Sequence, residues 1–362
     1  MKHDSEKITI IAEAGVNHNG SLLRALEMVE AAAQAGADII KFQSFKTEQM
    51  LSILAPKAAY QMQNTNHDEN QWQMLKGLEL DEAAQHALLL ECHRQGLEFL
   101  SSPFDLGSLG YLIEELGVSR IKLASGEINN APLLLAAARS GREIILSTGM
   151  STLGEIEFAL GVLAFGYCHP QGLPGRDDFK HSFLSSAGQH KLREKVTLMH
   201  CTSEYPAPVG EINLRAMDTL KQAFGLKVGY SDHSSGTAIA VAAAARGATM
   251  IEKHFTLDRQ LPGPDHKASL EAAELQQMIG DIRQVQSALG SFMKGPSPSE
   301  WKNIEVSRKS LVAAQAIKAG EVFTENNLAI KRPGTGIAPQ YYWEWLGKKA
   351  GRDYLPDELV EL

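Results

Sequence analysis

The segment VGYSDHSSGTAIAVAAAARGATMIEKH, residues 228–254, decides the fold. Two short apolar runs, Val228–Tyr230 and Met250–Lys253, flank a small-residue stretch, Ala238–Ala245, that Gly247 stops. The runs are too short for helices and the middle is too long for a hairpin turn, so the segment reads as strand, helix, strand. Strands joined in this way pair in parallel through a right-handed crossover. Each run ends in polar residues, Ser231-Asp232-His233 in the first and Glu252-Lys253-His254 in the second.

Moving outward, the same unit recurs. Strands are expected at Ile8–Ala12, Asp38–Phe42, Leu97–Ser101, Arg120–Leu123, Glu143–Leu146 and Val196–Met199. Helices are expected at Leu22–Ala35, Asp81–Gln95, Leu106–Leu116, Ala131–Ala138, Leu153–Leu163, Leu214–Phe224 and Ala272–Leu289, and glycine follows most of them, as a left-handed stop requires. Eight alternations predict a (β/α)₈ TIM barrel, with an open doubly wound sheet as runner-up. No glycine-rich dinucleotide fingerprint follows the first strand, which counts against the open sheet. Two long polar segments interrupt the pattern, Glu48–Gln73 and Gly166–Lys195, and both are expected as loops. KGPSPS, 294–299, breaks the chain, and short β-like runs with a YYWEW cluster follow. The division is therefore a barrel over 1–294, a linker over 295–308 and a small domain over 309–362, the last expected to need docking or a dimer partner.

Among 362 residues, 35 Lys and Arg against 43 Asp and Glu give a net charge of −8, without a basic patch. That excludes a nucleic-acid partner and a membrane surface. Three scattered cysteines, Cys92, Cys168 and Cys201, form neither a disulfide framework nor a thiolate metal site. A reducing, cytoplasmic setting is expected, and no apolar stretch is long enough to span a bilayer.

In a barrel, catalytic groups sit just past the strand ends. Lys41 and Lys122 follow apolar residues in DIIK and RIK, so they point into the barrel or its mouth. With Ser102, Ser125, Ser147 and Ser231 they form a set suited to a small phosphorylated or carboxylated anion. Glu13, Glu127 and Glu204 at strand ends are general acid/base groups or ion-pair partners of those lysines. His233 and His254 end neighbouring strands and are either a metal pair or hydrogen-bonded core histidines. As metal ligands without thiolate they suit Mn²⁺, with Mg²⁺ or Co²⁺ as alternatives. His18 is a candidate at the rim. His67, His169, His181 and His190 read as solvated, Lys253 as an outer-face or structural residue, and Cys201 as packing.

The motifs IAEAGVNHNGS, DIIKFQSFK, FLSSPFD, IKLASGE, ILSTGM, HCTSEYPAP, VGYSDHSSG, IEKHFTLDRQLPGPDHKASL and KRPGTGIAP, in this order, resemble the sialic acid synthase family from Ile8 to Leu359. The resemblance implies a TIM barrel followed by an antifreeze-like (SAF) domain in a domain-swapped homodimer. It implies an enzyme that condenses phosphoenolpyruvate with an N-acetylmannosamine-type sugar and releases phosphate by C–O cleavage. N-acetylneuraminate is the expected product. N,N′-diacetyllegionaminate is the alternative; pseudaminate synthesis and a non-catalytic sugar-binding role rank lower. By motif, His233 and His254 would hold the metal. Lys41, Ser102, Lys122, Ser125, Ser147 and Ser231 would bind phosphoenolpyruvate, and Glu13 would be the catalytic carboxylate. Glu127, Tyr205 and Asp265 would contact the sugar, and Arg332 would reach the sugar of the neighbouring subunit. LAPKAAYQMQNT, 54–65, resembles a sugar-side loop.

Overall fold

The structure is a computed structural model that describes residues 7–57, 61–62, 65, 69–175 and 177–361. His67 and part of the 54–65 segment lie outside the described residues.

Eight parallel strands form the barrel: β1 (Thr9–Gly15), β2 (Ile39–Ser44), β3 (Glu98–Pro103), β4 (Arg120–Leu123), β5 (Glu143–Ser147), β6 (Val196–His200), β7 (Lys227–Asp232) and β8 (Met250–Thr256). They are ordered 3-2-1-8-7-6-5-4, so β1 and β8 are hydrogen-bonded neighbours. β3 and β4 complete the ring side by side, without a ladder among the described residues. A two-residue β9 (Leu270–Glu271) pairs in parallel with the end of β8. Helices follow every strand and bury their apolar stripes against the outer face. Side-chain caps from Ser21, Asp81, Asp105, Asn130 and Thr152 open five of them. No helix among the described residues is long and apolar enough to cross a membrane.

Both expected loops carry helix: short helices Thr47–Met50 and Gln71–Lys76 bound the first segment, and the second departs further. Gly166–Lys195 is not a loop: the helix that starts at Leu153 runs to Cys168, and two more follow, Asp178–Leu184 and Ser186–Lys195. Pro170, Gly172, Pro174 and Gly175 punctuate a short turn, while Gly166 and Gly188 lie inside helices. Phe179 then packs edge-on against Phe158 and Phe165, each at 5.7 Å, which buries a helix that is apolar nearly all round. The side chain of Ser185 caps the last helix through Gly188 N–H.

Inside the barrel, Ile11, Ile39, Leu100, Ile145, Met199 and Met250 form an apolar floor. β7 contributes Gly229 at this level because no side chain fits: a Cβ there would stand 2.4 Å from Met199 Sδ and 2.7 Å from the Met250 carbonyl. The floor is as dry as any core.

The chain divides into two compact units after Gly290. The second carries the helix Pro298–Ser307 and an antiparallel pair, β10 (Ser310–Ala313) with β11 (Leu328–Lys331). It has a core of its own around Leu311, Ile317, Phe323, Trp345 and Tyr354.

Candidate active site

Side chains in a strand alternate sides, so the residue two places beyond each floor residue also points inward. Ile11 is followed in this way by Glu13, Ile39 by Lys41, Leu100 by Ser102, Ile145 by Ser147, Met199 by Cys201 and Met250 by Glu252. β4 adds Lys122 and β7 adds Ser231. This polar layer, with Ser125, His233, His254, Tyr205 and Asp265 from the strand ends and loops, lines one cavity of about 420 Å³.

The layer is a network of buried charges. Lys41 Nζ lies 3.0 Å from Glu13 Oε2, 3.5 Å from Glu252 Oε2 and 3.3 Å from Ser102 Oγ. Lys122 Nζ donates to Ser147 Oγ at 2.6 Å and stands 3.5 Å from Glu252 Oε1. Ser231 Oγ donates to that same carboxylate oxygen at 2.7 Å. The two carboxylates therefore differ. Burial opposes the charge of Glu252, but the ammonium groups of Lys122 and Lys41 prevail and hold it well below the usual carboxylate range. Burial lifts Glu13 to about 7, with Lys41 opposing and Glu252 reinforcing the rise. Burial lowers Lys122 against the pull of Glu252; for Lys41 burial is outweighed by Glu13 and Glu252, and the pKa rises.

At the mouth, the rings of His233 and His254 have centroids 5.5 Å apart, and Tyr205 packs 4.2 Å from His233 and 5.4 Å from His254. His233 Nδ1 is 2.6 Å from the Thr202 carbonyl, which only accepts, so Nδ1 carries the proton and Nε2 keeps its lone pair. His254 Nδ1 is buried with no hydrogen-bond partner. Burial holds both rings neutral, His233 at about 4 and His254 well below its ordinary value. His233 Nε2 lies 3.2 Å from Ser231 Oγ, and two neutral imidazoles lining one cavity fit a divalent metal. Among the described residues no third His, Cys, Asp or Glu joins them. Asp265, buried and pushed up to about 6, lines the same cavity.

Not every expected residue arrives. Glu127 is half-buried at the rim, where Asn130 Nδ2 donates to it at 2.7 Å and burial raises its pKa. Glu204 is exposed and lines a neighbouring hollow. His18 is buried off the cavity, its Nδ1 accepting from Gly20 N–H at 3.0 Å. Arg332 belongs to the second unit, where it is exposed and its Nε donates to the Ser307 carbonyl at 3.1 Å. Cys201 faces the cavity, 3.1 Å from Ser125 Oγ. Glu252 and Gln43, polar strand-end residues to which the sequence alone assigns no role, both line the cavity. Their signal was parity: each lies two places from a residue already chosen, His254 and Lys41.

Residues 28–294 match the NeuB family and residues 308–361 match the SAF domain. An N,N′-diacetyllegionaminic acid synthase of Campylobacter jejuni is 50% identical over 355 residues, covering 98% of this chain and 99% of that one. One from Legionella pneumophila is 41% identical, covering 91% and 86%. The solved structure of an N-acetylneuraminic acid synthetase from Leptospira borgpetersenii superposes with a TM-score of 0.68 at 34% identity, over 83% of this chain and 91% of that one. With a barrel whose cavity carries Lys41, Lys122, Glu13, His233 and His254, and a SAF domain after it in the sequence, the chain belongs to the NeuB family and is a sialic-acid-synthase-type enzyme.

Proposed function

We propose that this enzyme condenses phosphoenolpyruvate with a 2,4-diacetamido-2,4,6-trideoxymannose to give N,N′-diacetyllegionaminate and phosphate. The motifs read alone favoured N-acetylmannosamine as acceptor. The observation that moves the reading to the diacetamido sugar is the 50% identity, end to end, with the Campylobacter legionaminic acid synthase.

Lys41 and Lys122 supply positive charge for the phosphate and carboxylate of phosphoenolpyruvate, and the hydroxyls of Ser102, Ser125, Ser147 and Ser231 supply directed donors. Held there, C3 of the enol attacks the aldehyde carbon of the open-chain sugar, water adds at C2, and the C2–O bond to phosphate breaks. Glu13 takes the proton of that water or handles the proton of the new hydroxyl, a task suited to a carboxyl lifted toward neutrality. Glu252 keeps the two ammonium groups apart and aimed. His233 and His254 would hold a divalent ion, Mn²⁺ by their donor chemistry, which when bound supplies Lewis-acid polarisation of a carbonyl oxygen. Tyr205 and Asp265 face the sugar from the cavity and Glu127 from its rim, and Arg332 reaches it from the partner of a homodimer.

Phosphate release is measured with both sugars under saturating phosphoenolpyruvate. kcat/KM at least tenfold higher for the diacetamido sugar is expected. A preference for N-acetylmannosamine overturns the choice of acceptor and leaves the chemistry standing.

A further inference from the structure

One buried ammonium group holds the chain on both sides of His233. The ladder between β7 and β8 registers Ser231 with Glu252 and Asp232 with Lys253, and β7 ends at Asp232. His233 thus lies one residue past the last rung of its strand, where backbone pairing no longer fixes its distance from β8. On the outer face of that rung, Lys253 Nζ pairs with Asp232 Oδ2 at 2.9 Å and also bonds the Ser234 carbonyl. Asp232 Oδ1 accepts from the Ser234 N–H at 2.9 Å and the Ser234 hydroxyl at 2.6 Å. Residues 232 and 234, the two neighbours of His233, are therefore both tied to the residue that precedes His254.

This cluster is out of reach of any substrate: Asp232 and Ser234 are 0% exposed and Lys253 1%, and all three point away from the cavity. Stability alone is a poor reason for such a pair, because well-packed apolar replacements of buried ion pairs are often as stable or more so. Its placement, at the one rung that sets the spacing of the two histidines, supplies a better one. We propose that Asp232 and Lys253 are positioning residues that fix His233 and His254 at the separation a shared metal ion needs. The proposal rests on the reading that these histidines hold a divalent ion.

The test uses the full chain and Mn²⁺ itself, with free ion counted by electron paramagnetic resonance and thermal melting followed in parallel. The variant Asp232→Asn/Lys253→Met removes both charges, so neither is left buried alone. Expected are melting close to that of the unsubstituted chain and a Kd for Mn²⁺ raised about 10–100-fold, the usual cost of losing groups that orient metal ligands. A folded double variant that binds Mn²⁺ with unchanged affinity overturns the proposal, as does lowered melting with affinity intact. Should this variant not fold, Asp232→Asn alone, isosteric and still bonded to Ser234, is scored by the same two outcomes. Mn²⁺ binding that survives His233→Ala/His254→Ala overturns the underlying reading of the histidines instead, so the two failures are distinguishable.

Discussion

Lys41 Nζ and Glu13 Oε2 meet at 3.0 Å with both side chains out of water, and each depends on the other to be tolerated there. Breaking a buried pair from one side strands a charge, at a cost of about 3–5 kcal/mol. Lys41→Met is therefore expected to lower stability by about 3 kcal/mol, and adding Glu13→Gln to recover much of it. Denaturant titrations of the singles and the double decide this. Additive losses show that the two groups are not coupled. In activity, Lys41→Met should raise the KM for phosphoenolpyruvate far more than that for the sugar. Glu13→Gln should cut kcat by about 10²–10⁴-fold.

Gly149 N–H donates to Ser125 Oγ at 3.0 Å, and a Cβ at Gly149 would lie 2.4 Å from Ser203 Oγ and 2.9 Å from both Cys201 Sγ and Ser125 Oγ. Gly149→Ala should push Ser125 off its position and raise the KM for phosphoenolpyruvate about tenfold, or about 1.4 kcal/mol. An unchanged KM in the folded variant removes Ser125 from the anion site.

Burial first, and then Arg24, hold His18 at about 4 against an ordinary 6.5, and its Nδ1 serves as acceptor for Gly20. The unfolded chain binds a proton near 6.5 that the folded chain refuses until about 4. Stability is thus expected to fall as the pH drops through that window, by about 2 kcal/mol between pH 7 and pH 5 from this group. His266, also lowered to about 4, acts in the same direction. His18→Asn should flatten the dependence. Denaturation midpoints at the two pH values that shift as much in the variant as in the parent rule His18 out.

Arg332 follows β11 in the second unit and is exposed there. If it serves the barrel of a partner subunit, Arg332→Ala should weaken sugar use and spare phosphoenolpyruvate. Mixing Arg332→Ala with His254→Ala chains should then restore activity, because one site of the mixed dimer has both an intact barrel and an intact arginine. Subunit exchange is confirmed first by mass-tagged chains. Exchange without recovered turnover places the arginine within its own chain or outside the reaction.

Much of the barrel was legible because strand and helix periods are local properties. DIIK placed Lys41 inside, since two residues back it carries the floor residue Ile39; RIK placed Lys122 inside only by its apolar neighbours, because Arg120 holds the matching position. Glu252 carries the same alternation as His254, but its two lysine partners lie on other strands, so its role is not visible in the local sequence. The helices at Asp178–Leu184 and Ser186–Lys195 were illegible for another reason: both pack on the preceding helix Leu153–Cys168, the first through Phe179, a tertiary effect that local punctuation masks. Glu127 and Glu204 failed to enter the cavity because loop residues lack the parity that strands impose.

The apolar floor makes the barrel a vessel with one opening. Ile11, Leu100, Met199 and their neighbours are buried side chains that close the barrel beneath the charged layer. The cavity above the floor, lined by the charged layer, is entered from the mouth where His233, His254 and Tyr205 stand. The reaction has no back exit.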